Sequence, residues 1–214
     1  LPLPSPPGSA PVSGVYVYDV LCNGSTWVIC TSRQILYSTD NWATWTALDV
    51  PNSQGVSGYG RAVNKDGVWV VSAHPSHSLV SSDNGHTWTV TQLHTPPSNM
   101  VSSHVRGISY DDSLGWCLAV WYQAPSPNGG SYLVRLNNAF GVEATHFVTA
   151  SNSFISTPHA QSLNTINGLI AASHNPGLSY SVNGGATWVS VNSTSHACGA
   201  YKKDNDRLTV YAKH

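Results

Sequence analysis

Three features of the 214-residue sequence predict an all-β fold, a β-propeller of four-stranded antiparallel blades, about five blades with the last incomplete. The composition is rich in Ser, Asn, Thr, Gly, Tyr and Trp and holds a single Met and a single Glu, which is poor helix material and good strand-and-turn material. An S-x-D-x-G-x-T-W box stands complete at 81–88 and recurs, altered, before and after it. Paired strand-like runs precede each copy, so each unit supplies four strands.

The box is a turn with its own plug. Asp and Asn side chains accept hydrogen bonds from backbone N–H groups a few residues ahead, so Asp83-Asn84-Gly85 favours a tight hairpin. Gly85 supplies a positive φ, Ser81 and Thr87 satisfy turn groups, and Trp88 anchors the returning strand.

Taken in order, residues 1–14 (LPLPSPPGSAPVSG) hold five prolines and no apolar period, and read as a proline-rich arm or linker ahead of a propeller over 15–214. In unit one, VYVYDVL and TWVICTS flank a turn at Asn23-Gly24, and ILYSTDNWATWTAL carries a box with Ser38, Asp40 and Trp45, in which Trp42 replaces the glycine. Unit two runs from YGRAV and GVWVVSA to the complete box. Unit three, VRGISY and GWCLAVWY, has a degenerate box with Asn137 at the Asp position and no Trp. Unit four keeps Ser181, Gly185, Thr187 and Trp188, with Asn183 for Asp, and Asn still accepts the turn bonds. ACGAY and RLTVYAK read as the first two strands of a fifth unit. The boxes recur at roughly 40 to 55 residues, the size of a four-stranded blade.

With 41% apolar residues the chain can bury a core as one all-β domain. Only 9% of residues are charged and the net charge is −1, which argues against electrostatic capture of nucleic acid or an anionic membrane surface. No apolar run approaches the roughly 20 residues of a membrane span. The chain opens on Leu1 without a signal-peptide pattern and reads as processed or cut from something longer. Cys22, Cys30, Cys117 and Cys198 lack C-x-x-C spacing and read as buried free thiols, with disulfide pairing left open. Asn23 and Asn192 head glycosylation sequons, which matter only in a eukaryotic secretory route.

On these boxes and strand pairs the chain resembles the Asp-box, or bacterial neuraminidase repeat, family of sialidase-like propellers over about residues 15–214. The resemblance implies that the box lies between the third and fourth strands of a blade, away from the active centre. It makes Ser38, Asp40, Ser81, Asp83, Ser181 and Asn183 structural. The ligand face is then the opposite end, made by loops that hold eight of the ten histidines. Its candidate residues are Tyr59, Arg61, His104, Arg106, Trp121, Tyr122, His159, His174 and His196. His104, His159 and His196 begin innermost strands; converging, they would bind Zn²⁺ or form a pH-sensitive rim, and otherwise they are separate loop residues. Trp121 and Tyr122 are a stacking platform for a sugar, or packing between blades.

The family's enzymes use an arginine cluster, a Tyr–Glu pair and an Asp acid/base. Arg61 and Arg106 supply two arginines, the Arg-Ile-Pro motif is missing, and Glu143 adjoins the degenerate box. Asp111 and Asp112, like Asp204 and Asp206, read as turn formers; Asp19 and Asp49 are loose candidates for the carboxyl pair glycoside hydrolysis needs. The sequence therefore favours a non-catalytic module for glycan or protein-receptor binding or for display, outside a cell or on a virion, for example a phage tail. It is expected to need no cofactor, to bind no nucleic acid, to insert in no membrane, and to close its propeller in a homo-oligomer or larger assembly. The rivals are a divergent glycoside hydrolase and a structural assembly domain.

Overall fold

The computed structural model describes residues 17–32, 34–48, 58–74, 76–96, 98, 102–123, 129–149, 163–174, 177–191, 200–204 and 207–211. For residues 58, 59, 74, 102, 174, 177 and 191, and for the last two strands, it describes the backbone. The proline-rich segment 1–14 lies outside the described residues.

Each unit of the sequence forms one antiparallel sheet with its strands in chain order. Blade one holds β1 (Val17–Asn23), β2 (Thr26–Thr31), β3 (Ile35–Ser38) and β4 (Thr46–Leu48). Blade two holds β5 (Gly58–Lys65), β6 (Val68–His74), β7 (His77–Ser81) and β8 (Thr89–Thr91). Blade three holds β9 (Ser102–Asp111), β10 (Gly115–Gln123), β11 (Gly130–Leu136) and β12 (Val142–Thr149). Blade four holds β13 (Leu163–Ile166), β14 (Leu169–His174), β15 (Gly177–Ser181) and β16 (Val189–Val191). β17 (Ala200–Asp204) and β18 (Arg207–Tyr211) pair with each other as a two-stranded sheet, and no helix occurs among the described residues.

The first strands β1, β5, β9 and β13 lie successively against one another, so the sheets radiate from a shared axis with their fourth strands outermost. Among the described residues the fold is a β-propeller with four four-stranded blades. Alternation turns one face of each sheet toward each neighbour, and the core is a set of seams between blades. Val28 and Ile35 of blade one meet Trp69, Val71 and Leu79 of blade two. Val70 meets Ile108, Trp116 and Leu118 of blade three, and Cys117 and Leu133 meet Leu163 and Ile170 of blade four. Trp69 is fully buried, and burying such a side chain contributes on the order of 3 kcal/mol.

The thiol expectation needs one correction. Cys30 and Cys117 are buried and free, but Cys22 is exposed. Its neighbour Leu21 packs into the seam with blade two, so strand alternation turns Cys22 to the other face.

Candidate functional site

Hydrogen bonding in the boxes fixes one end of every blade. Ser81 Oγ donates to Asp83 Oδ1 at 2.8 Å and accepts from the Gly85 N–H at 2.9 Å. Asp83 accepts from the Thr87 N–H at 2.8 Å and the Thr87 hydroxyl at 2.6 Å. Ser38, Asp40 and Thr44 repeat the set in blade one. In blade four Asn183 Oδ1 accepts from the Thr187 N–H at 2.9 Å, but its Nδ2 donates to the Thr187 hydroxyl at 2.8 Å, reversing the bond that a carboxylate accepts. In the degenerate copy Asn137 Oδ1 still accepts from the N–H four residues on, Gly141, at 2.9 Å. Donors around Asp40 and Asp83 hold both carboxyls below the usual range, the Thr44 and Thr87 bonds contributing most.

Both turn residues take positive φ, at Asn84-Gly85 and at Gly184-Gly185, a region that Gly and Asn enter most readily. The box tryptophans face a seam or the surface: Trp88 donates its indole N–H to Gly85 O at 3.0 Å and packs near Tyr37 of blade one, Trp188 packs against the seam with blade three, and Trp45 packs at a tilt against Trp42.

Antiparallel order puts the first-to-second and third-to-fourth turns of a blade at the same end. The Asn84 N–H bonds Gly67 O at 3.0 Å and the Asn41 N–H bonds Ser25 O at 3.0 Å, tying box to inner turn. At this box end the axis holds a cavity of about 790 Å³, lined by Arg61–Lys65, Ile108–Ser113 and Asn164–Asn167, with Leu21. These are the last residues of β5, β9 and β13 and the turns that follow.

Most of its charges are paired. Arg61 Nε lies 3.7 Å from Asp19 Oδ2, and Arg61 Nη1 donates to Leu163 O at 3.4 Å, linking blades two and four. Asp19 Oδ2 also accepts the Ala62 N–H at 3.0 Å, which makes it a staple between blades. Lys65 Nζ bridges Asp112 at 2.9 Å and Asp66 at 3.1 Å and lies 5.4 Å from the Tyr110 ring centre; the two carboxylates raise its pKa. Asp111 is buried and accepts from the Ser113 N–H at 2.9 Å and its hydroxyl at 2.5 Å, and from the Gly168 N–H at 3.4 Å. Thr165 donates to Tyr110 O at 3.1 Å and accepts from Ser109 at 2.8 Å.

Two donors in this lining stand out. Asn64 Oδ1 accepts the Gly67 N–H at 3.4 Å while its Nδ2 is buried with no hydrogen-bond partner. Asn164 is 9% exposed and its Nδ2 likewise has no partner. A buried donor left unpaired costs about 1–3 kcal/mol. Both residues line the cavity, and a side-chain rotation that turned either amide into it would let a ligand acceptor remove that cost.

Of the residues expected at the ligand face, Arg61 is the one whose described side chain lines the cavity. His104 and Trp121 are cross-strand partners near the opposite end, stacked with centroids 5.0 Å apart and planes 26° apart. Trp121 and Tyr122 fall in β10, not in a loop, and Tyr122 is 1% exposed in the seam of blades two and three, so it offers no platform. Burial, then Tyr132, pushes its hydroxyl up to about 12. Arg106 is half-buried, which lowers its pKa. Tyr59 and His174 are described by backbone alone, and His159 and His196, like Asp49 and Asp206, lie outside the described residues. Among the described residues no three His, Cys, Asp or Glu side chains form a metal-binding group. Glu143 pairs with Arg135 at 3.5 Å.

No family model matches the chain, and no curated protein does either. Solved structures similar to it include YCF48 bound to D1 peptide, at 13% identity and a TM-score of 0.37, covering 83% of this chain and 67% of that one. The GH74 enzyme of Niastella koreensis is 22% identical with a TM-score of 0.42, covering 78% of this chain and 22% of that one. PorZ, a surface component of the type-IX secretion system of Porphyromonas gingivalis, is 14% identical with a TM-score of 0.44, covering 87% and 22%. The chain thus spans about a fifth of the GH74 and PorZ chains.

Asn64, Lys65, Tyr110 and Asn164 were not singled out by the sequence. Their signal is positional: each stands within two residues of the end of an innermost strand, ahead of a first-to-second turn.

Proposed function

We propose that this chain is a non-catalytic propeller module, displayed outside a cell or on a virus particle, that binds a neutral glycan in the box end of its channel. The observation that carries this reading is the pair of unpartnered amide donors, Asn64 and Asn164, in a polar cavity whose charges are largely paired among themselves. Paired charges favour an uncharged ligand, and amide donors favour hydroxyl or carbonyl oxygens. The hydrogen-bonded boxes support the Asp-box resemblance, and the cavity favours a ligand site at the box end over one at the histidine-rich end. A protein receptor, and closure of the propeller in an assembly, remain parts of the same display reading.

A glycan array probed with the full chain should show neutral glycans retained. Calorimetry on the best hit should weaken at least tenfold in Asn64→Ala/Asn164→Ala, with melting little changed. A silent array, or equal binding by the double variant, defeats the channel reading. The second reading, a glycoside hydrolase, draws on Asp111 and Asp112, two carboxyl groups lining one cavity. Sugar release from a fluorogenic glycoside, lost in Asp111→Asn or Asp112→Asn, would favour it.

A further inference from the structure

Trp42 occupies a backbone position that the boxes of blades two and four give to glycine. Its φ is +78°, against +91° at Gly85 and +94° at Gly185, a region L-residues avoid. Packing explains the two glycines. A Cβ at Gly85 would stand 3.0 Å from Thr26 Cγ2, and one at Gly185 2.5 Å from Leu133 Cδ2, both side chains of the preceding blade. Packing does not explain the tryptophan, because Trp42 is 38% exposed and core burial does not offset its backbone strain. What Trp42 does is complete an aromatic cluster: its ring lies 4.6 Å from Trp27 and 4.1 Å from Trp45, tilted by 52° and 59°.

The cluster is fixed in place and rimmed by polar groups. The Trp27 indole N–H is held by Asn41 Oδ1 at 3.1 Å, and Trp42 N–H by Ser38 Oγ at 3.0 Å. Both oxygens of Asp40 are committed to Ser38 and Thr44. The indoles touch one another, which leaves no gap between rings for a caged ammonium group. What the cluster offers instead is the exposed part of Trp42, flanked by two half-buried indoles.

We infer that Trp27, Trp42 and Trp45 form a carbohydrate-binding surface that takes the apolar C–H face of an uncharged pyranose. Those C–H groups are apolar and carry slight positive charge, which matches the negative face of an indole. The tilts make the surface angled, so its ligand is a single soluble chain rather than a flat crystalline one. The surface stands at the same end of the propeller as the channel cavity but does not depend on it.

The test is a fluorescence and calorimetric titration of the full chain with cellohexaose, chitohexaose and mannohexaose. At least one should bind, and Trp42→Gly should weaken it at least tenfold while melting at the same temperature or higher, since glycine restores the turn consensus. Trp42→Phe, which keeps a ring, should lose less. Binding that Trp42→Gly leaves unchanged, or no response to any of the three sugars, overturns the inference. Loss in Trp42→Gly with retention in Asn64→Ala/Asn164→Ala would uphold this surface and reject the channel. The reverse pattern would uphold the channel and reject this surface.

Discussion

Replacing Gly185 by alanine probes the seam between blades three and four at one atom. Gly185 has φ +94°, and an added Cβ would lie 2.5 Å from Leu133 Cδ2 and 3.1 Å from His146 Cδ2. The backbone cost of holding an L-residue there is roughly 1–3 kcal/mol. Leu133 is fully buried and cannot swing away, so overpacking adds roughly 1–3 kcal/mol. The sum, about 2–6 kcal/mol, corresponds to a melting temperature lowered by roughly 4–24 °C for a chain of this size. Gly24→Ala is the control, because φ there is +64° but nothing lies within 4 Å of the added Cβ, so it carries the backbone cost alone. Urea unfolding at constant slope gives both values. If Gly185→Ala is no less stable than Gly24→Ala, the packing of box four against blade three is not as described.

Acid should destabilise the fold through His94, which is 2% exposed with no hydrogen-bond partner at either ring nitrogen. Burial, then His77, lowers its pKa from 6.5 to about 4. The unfolded chain therefore binds the extra proton between these values, and stability present above pH 6.5 falls as pH drops toward 4, by up to about 3 kcal/mol. His94→Leu should flatten that limb of a pH–stability curve, and an unchanged slope would refute the assignment. Thiol labelling should separate the cysteines: Cys22, exposed, reacts in the native state, while Cys30 and Cys117 wait for unfolding. Burial raises both buried thiols, Cys117 to about 12. Mass mapping that finds Cys117 labelled as fast as Cys22 would contradict this.

The blades were legible because their signals are local. Asn-Gly and Asp-Gly turns, alternating runs and the box determine hairpins from neighbouring residues, and even Asn137 in the degenerate copy preserves the acceptor to the N–H four residues on. The candidate site was much less legible. Arg61, expected at the ligand face, sits midway along β5 and lines a cavity that reaches the box end. Of the two readings of Tyr122, sugar platform or packing between blades, strand alternation in β10 realises the packing. Asp111, read as a turn former, keeps that role and also lines the cavity.

By itself the sequence determined the repeat, the strands and the structural duty of Asp83, since each depends on contacts a few residues apart. The tertiary structure alone decided which innermost-strand side chains meet on the axis, because residues such as Arg61 and Leu163 join only when blades pack in three dimensions. It also decided what the glycine position of each box means. Where a preceding blade presses on it, only hydrogen fits; at blade one, Trp42 stands 38% exposed.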